Sequence, residues 1–174
     1  IDVATLMGDI LEQQGERVIP MIIAPNGLLS TWCADIKYFF GDKFNVFPIN
    51  SDTKQRWAQE ELLEKIRTAP INTIYIVSMQ FLQSNSVRVS IGERNIQVSA
   101  NVELVKQIGA NYIAIDESHN LKSFSSARHR YIKQITTSPT VKWLRLLTGT
   151  LMPDRAKDIE AQVALYSPHI FRAG

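Results

Sequence analysis

The sequence predicts an α/β domain built on a mainly parallel sheet. Five short apolar runs, at 21–24, 46–49, 73–77, 112–115 and 144–147, punctuate the chain, and several are rich in β-branched residues. Runs of this length suit strands buried on both faces, as in a parallel sheet. Between them apolar residues recur at three- and four-residue intervals, so strand and helix signals take turns, as βαβ units require. A length of 174 residues fits one domain, since domains commonly run about 100–200 residues.

In chain order, residues 1–11 already carry helical spacing, and Gly15 is placed to end that helix. A helix that starts without a cap leads to the expectation that further residues of the same domain precede it. After the first apolar run, Leu29, Trp32, Ile36 and Phe39 form a stripe that ends at Gly41, a suitable C-cap. A second helix is expected over 57–67, with Asp52 or Thr53 as its N-cap. Others are expected over 102–108, closed by Gly109, over 127–135, and over 156–166, capped by Asp154. One insertion breaks the rhythm: residues 87–99 alternate around Gly92 and Glu93 and predict a β-hairpin on the surface. Trp32 and Trp143 lie in apolar context and are expected in the core, while His129 and His169 have no metal-ligand spacing.

Composition sets the class. A hydrophobic content of 45% and a charged content of 21% describe a globular chain with a real core. Cys33 is the only cysteine, so no disulfide forms within the chain, which favours a reducing compartment. No apolar run reaches the ~18 residues of a membrane helix, and the N-terminus has no signal-peptide pattern. The expectation is an intracellular protein with no membrane partner, in the cytoplasm or nucleoid of a prokaryote or the nucleus of a eukaryote. The net charge of +2 conceals an asymmetry: from Ser118 to Pro153 there is no Asp or Glu, but there are Lys122, Arg128, Arg130, Lys133, Lys142 and Arg145. Charge concentrated this way serves either a solvated surface or a polyanion-binding face.

The strongest chemical signal is IAIDESH at 113–119, in which an apolar strand delivers two adjacent carboxylates at its C-terminal end. Ligands bind at that end in open α/β sheets. The pair suits nucleotide hydrolysis because the two acids can divide the work. Asp116 can hold the water shell of a magnesium ion, which prefers carboxylate and phosphate oxygens. Glu117 can orient or deprotonate the attacking water.

Four strings in a fixed order extend this signal over nearly the whole chain. DESHNLK at 116–122 resembles the DEAH-box form of the second helicase motif, in the lysine-bearing variant common in Swi/Snf-type ATPases. LTGTLMPD at 147–154 resembles that family's third motif. IIAPNGLLSTW at 22–32 resembles the motif after the second strand, and IVSMQFL at 76–82 the serine-bearing strand end that follows. PHIF at 168–171 is similar to the end of the helix that leads toward a second lobe. The departures are Ser118 for alanine, Leu151 for proline, and Asp154 where asparagine is common.

The resemblance implies that residues 1–174 form the first lobe, of RecA-like three-layer fold, of a helicase-superfamily-two ATPase of Swi/Snf type. It implies ATP with Mg2+ as the nucleotide, a second RecA-like lobe, and double-stranded DNA held by backbone contacts. Asp116 and Glu117 become the catalytic pair, with Asp116 on magnesium through water. His119, Thr148, Gly149 and Thr150 become the coupling residues. Asn26, Gly27, Leu28, Ser78 and Gln80 become the DNA-backbone contacts, joined by Lys122, Arg128 and Arg130 of the acid-free stretch. An RNA helicase or restriction-enzyme motor subunit shares the fold, and Trp32 and Lys122 argue against it. A catalytically inactive scaffold is the alternative of another class; the intact acidic pair argues against it for the parent protein, whereas these 174 residues by themselves are expected to be inactive.

One expected part is missing from the 174 residues: no Gly-x-x-x-x-Gly-Lys-Ser/Thr occurs. That loop's backbone amides cradle phosphates and its lysine neutralises them. In the family it immediately precedes the helix that here begins at Ile1, so the lobe is expected to be incomplete at its N-terminus. Its strand lies beside the third-motif strand in this fold, so the edge at 144–147 is expected to recruit a neighbour. A second copy, a swapped segment or the chain's own N-terminus could fill it.

Overall fold

A computed structural model describes residues 17–91, 94–121, 123–149 and 157–166. The main sheet consists of β1 (Pro20–Ala24), β2 (Asn45–Ile49), β3 (Thr73–Ser78), β6 (Tyr112–Ile115) and β7 (Trp143–Leu146). All its pairings are parallel, in the order β2-β3-β1-β6-β7. The inserted hairpin, β4 (Ser86–Ile91) with β5 (Arg94–Ser99), forms a separate antiparallel ribbon. The helices are α1 (Leu29–Phe40), α2 (Ser51–Arg56), α3 (Gln59–Arg67), α4 (Met79–Gln83), α5 (Ala100–Lys106), α6 (Ala127–Thr136) and α7 (Lys157–Val163).

The two-residue period of the strands splits the core into two layers. Met21, Ile23, Tyr75, Val77, Ile113 and Ile115 pack with residues of α3, α4, α5 and α6 on one face. Ile22, Ala24, Ile74, Ile76, Tyr112 and Ala114 pack with Leu29, Trp32 and Ile36 of α1 on the other. A sheet between two helical layers is the three-layer arrangement that the family resemblance implies, on the parallel sheet that the alternating signals predicted.

Most boundaries agree with the sequence pattern to within two residues, and Gly41 is the expected C-cap of α1, whereas α5 is capped by Gln107 with Gly109 two residues beyond. Gly41 and Gly109 adopt φ of +57° and +67°, a region glycine enters without the Cβ penalty. The helix expected over 57–67 is α3 at Gln59–Arg67, and a further short helix, α2 at Ser51–Arg56, precedes it, separated by Trp57, whose backbone is extended. Trp57 packs against Phe47 with ring centroids 5.9 Å apart, and Lys65 Nζ sits 4.8 Å from its ring. The N-cap of α3 is not Asp52 or Thr53 but Ala58, which makes no side-chain cap bond, whereas α2 is capped by Asn50, whose side chain accepts from the Thr53 amide while the Thr53 hydroxyl accepts from the Asn50 amide. The single-turn α4 had no periodicity to announce it. Gly92, Glu93 and Asp154 lie outside the described residues.

The outer edge of β7 is met in part by side chains. Trp143 and Leu147 bond toward β6 through their amides, so the ladder turns Leu144 and Leu146 outward. The Leu144 carbonyl accepts from Arg145 Nη1 at 3.3 Å, and the Tyr166 hydroxyl hydrogen-bonds to the backbone of Leu146. Residues 1–16, one of the neighbours considered for this edge, lie outside the described residues.

His129 joins α6 to α7 and is 1% exposed. Its Nε2 lies 2.8 Å from the Ala161 carbonyl, and Phe124 packs edge-on against the ring. Burial pushes the imidazole below its ordinary 6.5, with Lys133 acting in the same direction, although the Ala161 bond opposes them. The unfolded chain takes up a proton as pH falls through about 6.5, while the folded chain resists. Stability is therefore full above that pH and is lost as pH falls toward the folded-state value. The urea midpoint is expected to drop between pH 7 and 5.5, and His129→Gln is expected to reduce that drop relative to its own pH 7 value.

Candidate functional site

Because the five strands are parallel, their C-terminal ends share one edge of the sheet. That edge gathers residues 25–28 after β1, 78–80 after β3, 116–119 after β6 and 147–149 after β7. Four strings dispersed over 125 positions thus come to one edge, and hydrogen bonds tie them pairwise.

The acidic turn is fastened to both neighbouring strand ends. The Asp116 amide donates to the Ile23 carbonyl at 2.8 Å, and the Ser118 amide donates to the Leu147 carbonyl at 2.9 Å. Asp116 Oδ1 accepts from the Glu117 amide and Oδ2 from Trp32 Nε1, each at 2.8 Å. Glu117 sits at φ +49°. A non-glycine residue in that region is strained by roughly 1–3 kcal/mol, and such strain gathers where function over-determines the backbone. The Glu117 carbonyl accepts from both the amide and the side-chain Nδ2 of Asn120, which locks the turn.

The Glu117 side chain is 38% exposed, and its Oε2 lies 3.0 Å from His119 Nδ1. His119 Nδ1 is also 3.2 Å from Thr148 Oγ1. A carboxylate at that distance requires the proton on Nδ1, because an ionised carboxylate only accepts. Glu117, His119 and Thr148 therefore form one chain from the acidic turn to the end of β7. Behind it, the fully buried Ser118 donates through Oγ to Gln162 Oε1 of α7 at 2.9 Å.

The donor set fits a magnesium ion held lightly. Each Asp116 oxygen has one protein donor and keeps acceptor capacity. Among the described residues no group of three or more His, Cys, Asp or Glu could hold a metal ion. Magnesium needs no such cage: it is commonly bound by one or two carboxylates, substrate phosphates and its own waters.

The second cluster is a backbone loop. Asn26–Leu28 forms a single 3-10 turn that runs directly into α1, whose start has no side-chain cap. The Asn26 amide donates to Gln80 Oε1 at 2.9 Å, and Ser78 Oγ donates to the same oxygen at 3.3 Å. Asn26, Gly27 and Gln80 are exposed, Leu28 is half-buried, and Ser78 is fully buried as the N-cap of α4. Ser78 thus holds Gln80 from below rather than facing solvent.

Arg128 and Arg130 lie apart from both clusters on α6, which packs on α4 and α5. Arg130 is exposed and donates to the Ser125 carbonyl at 2.6 Å. Arg128 is half-buried, with its Nε enclosed and unpartnered. Lys122 and Thr150 lie outside the described residues, and Gly149 is exposed in open space. Two interactions escaped the sequence: Trp32 is in the core as expected, yet its indole serves Asp116, and Gln162 serves Ser118. An apolar stripe announces a buried tryptophan but not the acceptor its N–H finds.

The family comparison decides what this edge belongs to: the SNF2-related domain matches residues 3–173. This chain belongs to that family. Among solved structures, the SNF2-related chain is similar to the Sulfolobus solfataricus SWI2/SNF2 ATPase core in complex with dsDNA, with a TM-score of 0.59 and 16% identity. The match covers 91% of this chain and 27% of that one, so the SNF2-related chain spans about a quarter of its structural neighbour's length. Comparison with curated proteins finds no match. The fold is therefore the RecA-like α/β fold of that ATPase core. Among the described residues no helix is long and apolar enough to cross a membrane.

Proposed function

We propose that the chain is the hydrolytic first lobe of an ATP-driven translocase on double-stranded DNA. The observation that carries this reading is the strained Asp116–Glu117 turn, tied to both neighbouring strand ends and followed by the Glu117–His119–Thr148 chain. Asp116 is the residue that would hold the magnesium of an ATP bound at the C-terminal edge of the sheet, and the ion would supply charge neutralisation on the phosphates. Glu117, half-exposed beside Asp116, orients the attacking water and accepts its proton. His119 holds the Glu117 carboxylate and passes its position to Thr148, Gly149 and Thr150. In this reading a phosphate cradle with its lysine and a second lobe supplying arginine would complete the site.

Duplex DNA lies along the Asn26–Leu28 turn, where amides at a helix start meet phosphate oxygens. Gln80 braces that turn, Ser78 holds Gln80, and Lys122, Arg128 and Arg130 add charge. Interactions of this kind position a duplex without reading its sequence. The duplex in the similar SWI2/SNF2 core supports DNA as the track.

The test is DNA-stimulated ATP turnover by the full-length protein, together with the salt dependence of its duplex binding. Arg128→Ala with Arg130→Ala is expected to weaken binding equally on unrelated sequences. The slope of log affinity against log salt is expected to flatten by about 0.9 for each phosphate that is no longer neutralised. An unchanged slope returns the two arginines to ordinary surface, and turnover indifferent to DNA removes the track.

A further inference from the structure

Besides the Asp116–Ile23 backbone bond, Trp32 joins the acidic turn to the helix that the Asn26–Leu28 loop starts. Its indole Nε1 donates to Asp116 Oδ2 at 2.8 Å across 84 positions of sequence. The residue is 7% exposed and belongs to the same buried cluster as Ile22, Ala24, Ile36 and Ala114. An indole turns about only two side-chain torsions, so close packing holds the N–H in place independently of its acceptor. The opposite carboxylate oxygen is held by the Glu117 amide at 2.8 Å. Trp32 therefore supplies the only side-chain donor to Asp116 among the described residues, on the oxygen that the turn itself leaves alone.

Its position along α1 matters equally. Trp32 lies three residues after Leu29, the first residue of the helix, so about 4.5 Å of helical rise separates them. The 3-10 turn at Asn26–Leu28 runs into that helix without an intervening loop. Loop, first helical turn and indole form one stiff body, with the loop at its exposed end and Asp116 at its buried end.

We propose that Trp32 is a positioning residue for Asp116, and that through it the state of the Asn26–Leu28 loop sets the state of the acidic turn. This rests on the reading that Asp116 holds the nucleotide's magnesium and that the loop contacts duplex DNA. A displacement of the loop carries α1 and the indole with it, so the carboxylate either follows or gives up a donor. A hydrogen bond to a charged group shifts an equilibrium by roughly ten- to a hundredfold, enough to make turnover depend on the track. Coupling requires two sites and one element that both bias, and α1 with its indole is that element.

Trp32→Phe in the full-length protein keeps a ring in the core and removes the donor. The Mg2+ concentration for half-maximal turnover is expected to rise about tenfold, and stimulation by DNA to fall by a similar factor. Saturating Mg2+ is expected to recover the first loss but not the second. Wild-type values for both overturn the link. Should the variant not fold, NMR decides on the native tryptophan. The Trp32 indole N–H is expected to exchange slowly with solvent, and Asp116→Ala is expected to shift its resonance and speed its exchange at least tenfold. An indole signal indifferent to Asp116→Ala overturns the proposal. The NMR result needs no turnover, so an intact indole signal in a protein that hydrolyses no ATP rejects the functional reading, and the coupling with it, by a separate measurement.

Discussion

Replacing Glu117 with glutamine in the full-length protein is expected to lower ATP turnover by at least about 10²-fold while nucleotide binding persists. The geometry makes this substitution unusually clean. The Glu117 backbone is held by its amide bond to Asp116 Oδ1 and by the two Asn120 donors on its carbonyl. Those bonds keep the residue at φ +49° whatever its side chain carries. Glutamine has the same length, and its amide oxygen can still accept from His119. What disappears is the negative charge and, with it, the capacity to take a proton from water. Binding is spared because Asp116, with its own donors from Trp32 and the Glu117 amide, is untouched. The check is turnover at saturating ATP beside the affinity of a fluorescent nucleotide. Turnover within threefold of wild type would remove Glu117 from the mechanism.

Asn101→Ala is expected to destabilise the fold by about 2 kcal/mol. Asn101 is 1% exposed at the start of α5. Its Nδ2 lies 2.7 Å from the Phe81 carbonyl, 3.2 Å from the Ser84 carbonyl and 2.9 Å from Ser84 Oγ. Ser99 Oγ reaches the same Ser84 carbonyl at 3.2 Å. These bonds close the base of the β4–β5 hairpin, where the chain leaves α4 and returns to α5. Alanine removes the Nδ2 donor, but the Phe81 carbonyl keeps the Ser84 amide and hydroxyl and the Ser84 carbonyl keeps Ser99 Oγ, so the loss is that of the bonds themselves, about 1 kcal/mol each. A lowered urea midpoint with unchanged slope, and faster proteolysis within 84–99, would match. A midpoint equal to wild type would show that the hairpin base holds without this clamp.

The sequence alone determined the local elements of this protein. Apolar runs and three-to-four spacing placed the five main strands and α1, because which side of an element a residue faces repeats with the element's own period. Gly41 and Gly109 were readable as the glycines after α1 and α5 because a positive φ selects glycine. The acidic pair at the end of β6 was readable because adjacent carboxylates after an apolar strand are a local pattern. The order β2-β3-β1-β6-β7 was decided by tertiary structure, and with it every hydrogen bond between the motifs. The Asn26–Gln80 bond exists because β1 and β3 are neighbours with their ends aligned. Trp32–Asp116 and Ser118–Gln162 join positions 84 and 44 residues apart, and neither pair leaves a periodic trace at either end. Trp57 shows the same division from the other side: its spacing read as the start of a helix, whereas its backbone is extended and its ring packs on Phe47. Periodicity specifies which way a side chain faces, whereas the partner it meets depends on which distant element the topology brings opposite it.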